Sequence, residues 1–217
     1  MKTDAQLKKD ITDELEWEPS VNATHIGVTV DRGVVTLTGH IDTYAEKAAV
    51  ERAVQRVLGV QALALELDVK LAPNHQRSDT ELAQVLQTAL QAQALVPAAR
   101  LSLKVEHGWV TLSGEVDWDY QRSHAERTVH QTMGVVGVSN RITLKPRTVP
   151  TDVSNRIKDA LARQAEREAR GIDVAIAGST ATLRGSVHSW AERNAAQGAA
   201  WSAPGITLVV NELRVQP

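Results

Sequence analysis

The chain of 217 residues contains no cysteine and no phenylalanine. Without cysteine it can form no disulfide and can supply neither a thiol nucleophile nor a thiolate metal ligand. Its large aromatic side chains are therefore five tryptophans and two tyrosines. No apolar run approaches the roughly 18 residues that predict a membrane-spanning helix.

The chain also lacks a strong charge of either sign, because its formal net charge is only -2. Nucleic-acid-binding proteins take much of their affinity from a basic patch, so we expect no nucleic acid among the partners. The first residues, "MKTDAQLKKDITDELEWE", are charged and amphipathic. They lack the apolar core of a secretory signal, which predicts a cytoplasmic protein.

Three similar nine-residue stretches occur along the chain, and they are "GVVTLTGHI", "GWVTLSGEV" and "STATLRGSV". Offsets of 75 and then 71 positions relate the copies, so that Leu37 corresponds to Leu112 and Leu183. The same two offsets relate apolar residues throughout the chain, which chance would not produce. The sequence therefore divides into three modules, residues 1–70, 76–146 and 150–217, joined by short polar linkers that contain proline.

Each module predicts the same order of elements, which is helix, strand, strand, helix and strand. Apolar residues at i, i+4 and i+8 indicate the first helix, and strict alternation of apolar and polar residues indicates the hairpin that follows. The candidate capping residues of the first helix are Thr3 or Asp4, Ser78 or Asp79, and Thr151 or Asp152. The predicted fold class is α+β, with three tandem α-β-β-α-β sandwiches, each a three-stranded sheet with two helices on one face.

Glycines recur at fixed places in the repeat, in the hairpin turn, at the end of the second strand and after the second helix. These are positions where a positive φ or a close backbone approach favours glycine. They are Gly33, Gly39, Gly59, Gly108, Gly114, Gly134, Gly185 and Gly205. In the third module the turn glycine is displaced by one position to Gly178, which predicts a different turn type.

The modules resemble the BON domain, which is named after bacterial osmotically inducible and nodulation proteins. Its pattern is a glycine turn, V-x-L-x-G-x-V, a charged helix and then G-V-x-x-V-x-N-x-[IL]-x-V. The second module follows this pattern throughout, with "EHGWVTLSGEV", "GVVGVSNRITL" and Asn140. The third module supplies Asn211 but has Ala181 in its strand, and the first module has Leu65 where asparagine is expected.

The resemblance implies non-enzymatic binding modules that attach to membrane phospholipid surfaces and are linked to osmotic or envelope stress. OsmY-like relatives are usually exported, and that part of the resemblance conflicts with the charged start of this chain. We therefore expect either an anionic membrane surface or another protein as the partner. The alternative function is a cytoplasmic scaffold or a protein that senses a small ligand.

No catalytic motif is present in the sequence, and neither a P-loop, a dinucleotide fingerprint nor a nucleophile elbow can be found. The seven histidines do not recur at equivalent positions. His124 and His130 lie six residues apart, whereas two ligands on one helix face would be four apart. We interpret the histidines as solvated surface residues, and we expect no enzyme activity, no metal and no cofactor.

Aromatic and basic residues come together at the start of each second helix, and this is the candidate lipid or partner surface. Aromatic rings favour the membrane interface, and basic residues attract anionic headgroups. The candidates are Tyr44, Lys47, Trp118, Tyr120, Arg122, Trp190 and Arg193. The alternative interpretation is that these rings cover the open end of a small sandwich.

The three modules differ in charge. Residues 1–70 have four more acidic than basic residues, residues 71–146 are balanced, and residues 147–217 have two more basic than acidic residues. The third module is therefore the one expected to approach anionic lipid, through Arg156, Arg163, Arg167, Arg170 and Arg193. The same difference would also favour head-to-tail association between modules, and the sequence leaves the oligomeric state open.

Overall fold

A computed structural model describes residues 2–164 and 171–216, and in it the three modules share one set of elements. The first module consists of α1 (Asp4–Trp17), β1 (Ile26–Asp31), β2 (Val34–Ile41), α2 (Tyr44–Arg56) and β3 (Ala62–Val69). The second consists of α3 (Asp79–Gln91), β4 (Leu101–Glu106), β5 (Trp109–Val116), α4 (Asp119–His130) and β6 (Gly137–Leu144). The third consists of α5 (Val153–Gln164), β7 (Asp173–Ala177), β8 (Thr180–Val187), α6 (Trp190–Trp201) and β9 (Leu208–Val215).

Each module has its own three-stranded sheet, in the orders β1-β2-β3, β4-β5-β6 and β7-β8-β9. The central strand is antiparallel to the first strand and parallel to the third, because the second helix crosses over between them. Both helices of a module pack on one sheet face, where a separate apolar core forms. The predicted α+β class is confirmed. No helix in the described ranges is both long and apolar enough to cross a bilayer.

The first helices of modules 1 and 2 begin with capping boxes, and the caps are Thr3 and Ser78. The aspartates that follow them have a different task. The Asp79 carboxylate accepts hydrogen bonds from the backbone N–H groups of Gly108 and His107, at 2.9 and 2.8 Å, which lowers its pKa. Asp4 binds the first hairpin turn in the same way, so each aspartate ties a helix start to a turn.

The hairpin turns differ between modules as the displaced glycine predicts. In modules 1 and 2 both central residues have positive φ, for example 51° at His107 and 75° at Gly108, as in a type I′ turn. In the third module Gly178 has a φ of 57° and Ser179 has a negative one, which is the sign pattern of a type II′ turn.

The asparagine of the BON pattern ties the third strand of a module to its second helix. The Asn140 Oδ1 atom accepts a hydrogen bond from the Ile142 N–H, and its Nδ2 donates to the Glu126 carboxylate at 3.1 Å. Asn211 makes the equivalent bonds in the third module. Leu65, at this position in the first module, packs against the apolar core instead.

Candidate functional site

The start of α6 lies at a junction between modules 3 and 1. The Trp190 ring packs against the apolar core of module 1, and its Nε1 atom donates to the Val60 carbonyl oxygen at 2.9 Å. One turn later the Asn194 Nδ2 atom donates to Gln55 Oε1 at 3.2 Å. The start of α6 therefore docks on the end of α2.

The start of α2 docks in the same manner on the end of α4. The Tyr44 ring packs against the core of module 2 and meets the His130 ring edge to face, with 4.9 Å between centroids. Burial raises the pKa of the Tyr44 hydroxyl. Tyr44 is thus a contact between modules 1 and 2.

The start of α4 completes the set by docking on the end of α6. The Arg122 guanidinium lies 4.4 Å from the centroid of the Trp201 ring and forms an ion pair with Asp119. The Trp201 ring packs against the cores of modules 2 and 3 together. A cation held over an indole face is attracted by the quadrupole of the ring, so this contact stabilises the junction.

The three junctions are related by the sequence repeat. The receiving residues Gln55, His130 and Trp201 occupy one position of the repeat, separated by the same offsets of 75 and 71. The junctions run from module 1 to 2, from 2 to 3 and from 3 back to 1, so the head-to-tail contacts close into a ring. A heterologous contact that repeats and returns to its start forms such a closed assembly.

The basic candidates also occupy one repeat position, and two of them bind the third strand of their own module. The Lys47 Nζ atom donates to the Leu67 carbonyl oxygen at 3.1 Å. The Arg193 Nε atom donates to the equivalent carbonyl of Leu213 at 3.2 Å, and burial lowers the pKa of this arginine. These cations hold the second helix to the sheet.

Of the predicted residues, Trp118 and Tyr120 are the ones that remain accessible at the end of module 2. Tyr120 is 48% exposed. The Arg147 guanidinium lies over the Trp118 ring, 4.5 Å from its centroid. The exposed Lys145 lies beside them, since its N–H donates to the Val116 carbonyl. We call Trp118, Tyr120, Lys145 and Arg147 the module 2 patch.

An acidic residue orders the base of the module 2 patch. Asp117 pairs with Arg147 at 3.0 Å and with Arg100 at 2.7 Å, and these bonds lower the pKa of its carboxyl group. One carboxylate thus faces two guanidinium groups. The local excess of positive charge, together with Lys145, can attract an anionic surface.

The basic residues predicted in the third module do not form one surface. Arg156 and Arg163 are exposed on α5, while Arg193 lies against the Trp190 ring at the junction with module 1. Arg167 and Arg170 lie outside the described residues.

His130 contradicts the expectation that the histidines are solvated. Its Nε2 atom is buried and has no hydrogen-bond partner within residues 2–164 and 171–216. Burial lowers its pKa and outweighs the opposing effect of Glu126 and Glu51, while Arg52 lowers it further. No local pattern in the sequence indicates this, because the ring of Tyr44 that packs against His130 belongs to another module.

We expect acid to loosen this junction. A histidine whose folded pKa lies below its ordinary value of 6.5 stays neutral in the folded protein but binds a proton on unfolding. Its contribution is therefore complete above pH 6.5 and is lost as the pH falls towards the folded pKa. Melting temperatures measured between pH 7.5 and 5 should fall less for His130→Gln than for the unmodified chain; equal slopes would contradict this.

A polar cavity of about 510 Å³ opens between modules 2 and 3. Amide, carboxylate and guanidinium groups line it beside one indole ring. The residues are Arg122, Glu126, Asn140, Asn194, Gln197 and Trp201. Within the described ranges no three histidine, aspartate or glutamate side chains gather in a way that could hold a metal ion.

The sequence pattern of the BON domain matches residues 3–70, 78–146 and 151–217, which is nearly the whole chain. Over 146 residues the chain is 27% identical to osmotically-inducible protein Y of Escherichia coli K12, covering 65% of this chain and 73% of that protein.

Two structures of CdsD, a structural protein of the type III secretion system of Chlamydia trachomatis, were also found. One, of the C-terminal domain, is 15% identical with a TM-score of 0.25 and full coverage of both chains. The other is 17% identical with a TM-score of 0.26 and covers 98% of this chain and 93% of that one. Such TM-scores are too low to relate the arrangement of the domains in those proteins to this one.

Proposed function

The chain belongs to the BON domain family, and from this premise we propose that it is a non-catalytic binding protein of the osmotic stress response that engages anionic membrane phospholipid. Its similarity to osmotically-inducible protein Y supports the link to osmotic stress. The presence of three BON domains supports a binding role.

The module 2 patch is the observation that carries the lipid-binding part of the proposal. Exposed Tyr120 and the partly covered Trp118 supply rings that favour the membrane interface, and Lys145 and Arg147 supply positive charge. The other aromatic candidates do not fit this role in the closed ring. Tyr44 and Trp190 already pack against neighbouring modules.

The double variant Trp118→Ala, Tyr120→Ala is expected to weaken binding to anionic vesicles about thirtyfold. Two rings lost from the interface remove on the order of 2 kcal/mol of apolar transfer free energy, and 1.4 kcal/mol corresponds to a factor of ten. Co-sedimentation with vesicles of mixed phosphatidylcholine and phosphatidylserine measures this affinity. Binding should also weaken with added salt, because dissolved ions screen the attraction between the basic residues and the anionic headgroups.

The matched control is Trp17→Ala, which removes an aromatic ring that is 84% exposed in module 1. It should bind vesicles as the unmodified chain does. A second comparison, Arg156→Gln with Arg163→Gln, removes the exposed cations of α5 and should change binding less than the patch variant does. Failure of the unmodified chain to sediment with anionic vesicles, or unchanged binding by the patch variant, would reject the proposal.

A second candidate function is the binding of a small polar solute, which the cavity between modules 2 and 3 favours. Amide and carboxylate groups beside an indole ring suit a polyhydroxylated molecule, because they offer both donors and acceptors. Calorimetric titration with polyols such as sorbitol and trehalose tests this function. Heat that disappears in Asn194→Ala with Gln197→Ala would support it, and the absence of heat at millimolar solute would not.

A further inference from the structure

The edge strand β4 is less well covered at its centre than its counterparts in the other modules. Leu103 is only partly buried, whereas the equivalent Val28 and Val174 are 9% and 5% exposed. Leu101 and Val105, on the same side of β4, are partly buried, as are the equivalent residues of the other two modules. A groove of about 650 Å³ runs between this strand and α3.

In the third module the corresponding groove is bridged by two contacts. The Ser154 hydroxyl donates to the Val174 carbonyl oxygen at 3.0 Å, and Lys158 lies 3.8 Å from Asp173. The repeat places Ala83 at the position of Ser154 and Gln87 at that of Lys158. Alanine has no donor for the equivalent Leu103 carbonyl, so nothing similar bridges α3 and β4.

The backbone of β4 presents hydrogen-bonding groups along this edge. In a hairpin with a two-residue turn, the pair that closes the turn exchanges two hydrogen bonds, and here this pair is Glu106 and Trp109. Counting back along β4 from Glu106, every second residue starting with Val105 directs its N–H and C=O groups away from β5. These residues are Leu101, Leu103 and Val105. Outward groups on a sheet edge are a template for another strand.

We propose that this edge pairs with the β4 edge of a second copy of the chain, antiparallel about a two-fold axis at Leu103. In this register Leu101 lies opposite Val105 of the second copy, so one apolar row continues across both sheets. Arg100 lies opposite Glu106 of the second copy, and this arrangement places opposite charges together at both ends. The result is one six-stranded sheet.

The charges of α3 fit a second copy as well. Two α3 helices would lie side by side above the joined strands. At the helix start the groove is lined by Asp79, whose carboxylate is already bound to the N–H groups of the hairpin turn. The other α3 residues that line the groove carry no charge, and they are Thr80, Ala83, Gln84, Gln87, Leu90 and Gln91. The equivalent face of α1 carries Lys8 and Lys9, and that of α5 carries Lys158, so module 2 can bring its helices together without burying like charges.

Cross-linking tests the register directly, because the chain has no cysteine of its own. Leu103→Cys places one thiol on each side of the axis, at the Cα separation of about 5.5 Å that suits both an antiparallel pair and a disulfide. Under a glutathione redox couple this variant should form a covalent dimer on non-reducing gels. The matched variant Val28→Cys, at the equivalent position of module 1, should remain a monomer.

Sedimentation equilibrium of the full chain tests the dimer without a cysteine. The unmodified protein should approach twice its 23.6 kDa mass as the concentration rises. Gln84→Glu with Gln87→Glu should shift the equilibrium at least tenfold towards monomer, because four carboxylates would meet at the axis. Gln93→Glu with Gln216→Glu changes the charge equally at exposed positions elsewhere and should dimerise normally.

If the measured mass stays that of a single chain up to a protein concentration of about 0.5 mM, the proposal is overturned, because even weak specific interfaces associate at that concentration. Dimerisation that is unaffected by the two glutamates would overturn it also, because the contact would then lie elsewhere. Circular dichroism of each variant establishes that it is folded, and the mass of the unmodified chain is decisive whatever the variants do. Vesicle binding by a purely monomeric chain would reject the dimer and leave the proposed function standing.

Discussion

Gly114→Ala is expected to unfold the second module under conditions where the unmodified protein is folded. Gly114 has a φ of 128°, a conformation that side chains rarely allow. An added Cβ atom would overlap the carbonyl oxygen of Arg100, which belongs to the backbone and cannot rotate away. The strain and the displaced strand β4 should lower the free energy of unfolding by more than about 3 kcal/mol.

Urea denaturation followed by circular dichroism measures this change. The matched control is Gly198→Ala, inside α6, where no atom lies within 4 Å of the added Cβ. Alanine in a helix interior is more favourable than glycine by about 1 kcal/mol, so this variant should be slightly more stable. If both variants unfold at the same urea concentration, the close approach at Gly114 does not constrain the fold.

Trp190→Ala is expected to open the closed ring of modules at the junction between modules 3 and 1. The substitution removes an indole ring that packs on the core of module 1 and donates a hydrogen bond to Val60. It also removes the aromatic face on which the Arg193 guanidinium lies. Removal of a packed tryptophan typically lowers the free energy of unfolding by about 3 kcal/mol. Modules 1 and 3 should then unfold in separate transitions, because the contact that joins them is lost.

Hydrogen exchange measured by mass spectrometry locates the effect. Amides at the end of α2 and around Val60 should exchange faster in Trp190→Ala, while those of α3 and β5 should change little. Trp17→Ala removes a ring that is 84% exposed and should alter stability by less than about 0.5 kcal/mol. Equal rates of amide exchange at α2 in all three proteins would show that the closed ring of modules does not depend on the Trp190 contact.

Much of each module could be predicted from the sequence because its signals are local or periodic. Alternation of apolar and polar residues within the second strand predicts that Leu37, Leu112 and Leu183 face the core, and all three are fully buried. The displaced Gly178 predicted a different hairpin turn, since turn type depends on which central residue has a positive φ. The choice between Ser78 and Asp79 as cap could not be made, because both residues cap helices well.

The candidate site was harder to predict. The aromatic and basic residues at the helix starts were recognised, but Tyr44 and Trp190 were expected to face a lipid or to cover their own sandwich. They instead cover neighbouring modules. The signal that was present is the shared repeat position of Gln55, His130 and Trp201, although only the structure shows that this position receives the helix start of another module.

By itself the sequence determined the family, the three-fold repeat and the fold of each module, because these follow from periodicity, turn chemistry and glycine at positions such as Gly114. Tertiary structure decided how the modules meet, which aromatic residues remain exposed and which sheet edge stays open. The physical reason is distance along the chain. Trp190 and Val60 are 130 residues apart, and no pattern within either segment specifies the other as its partner.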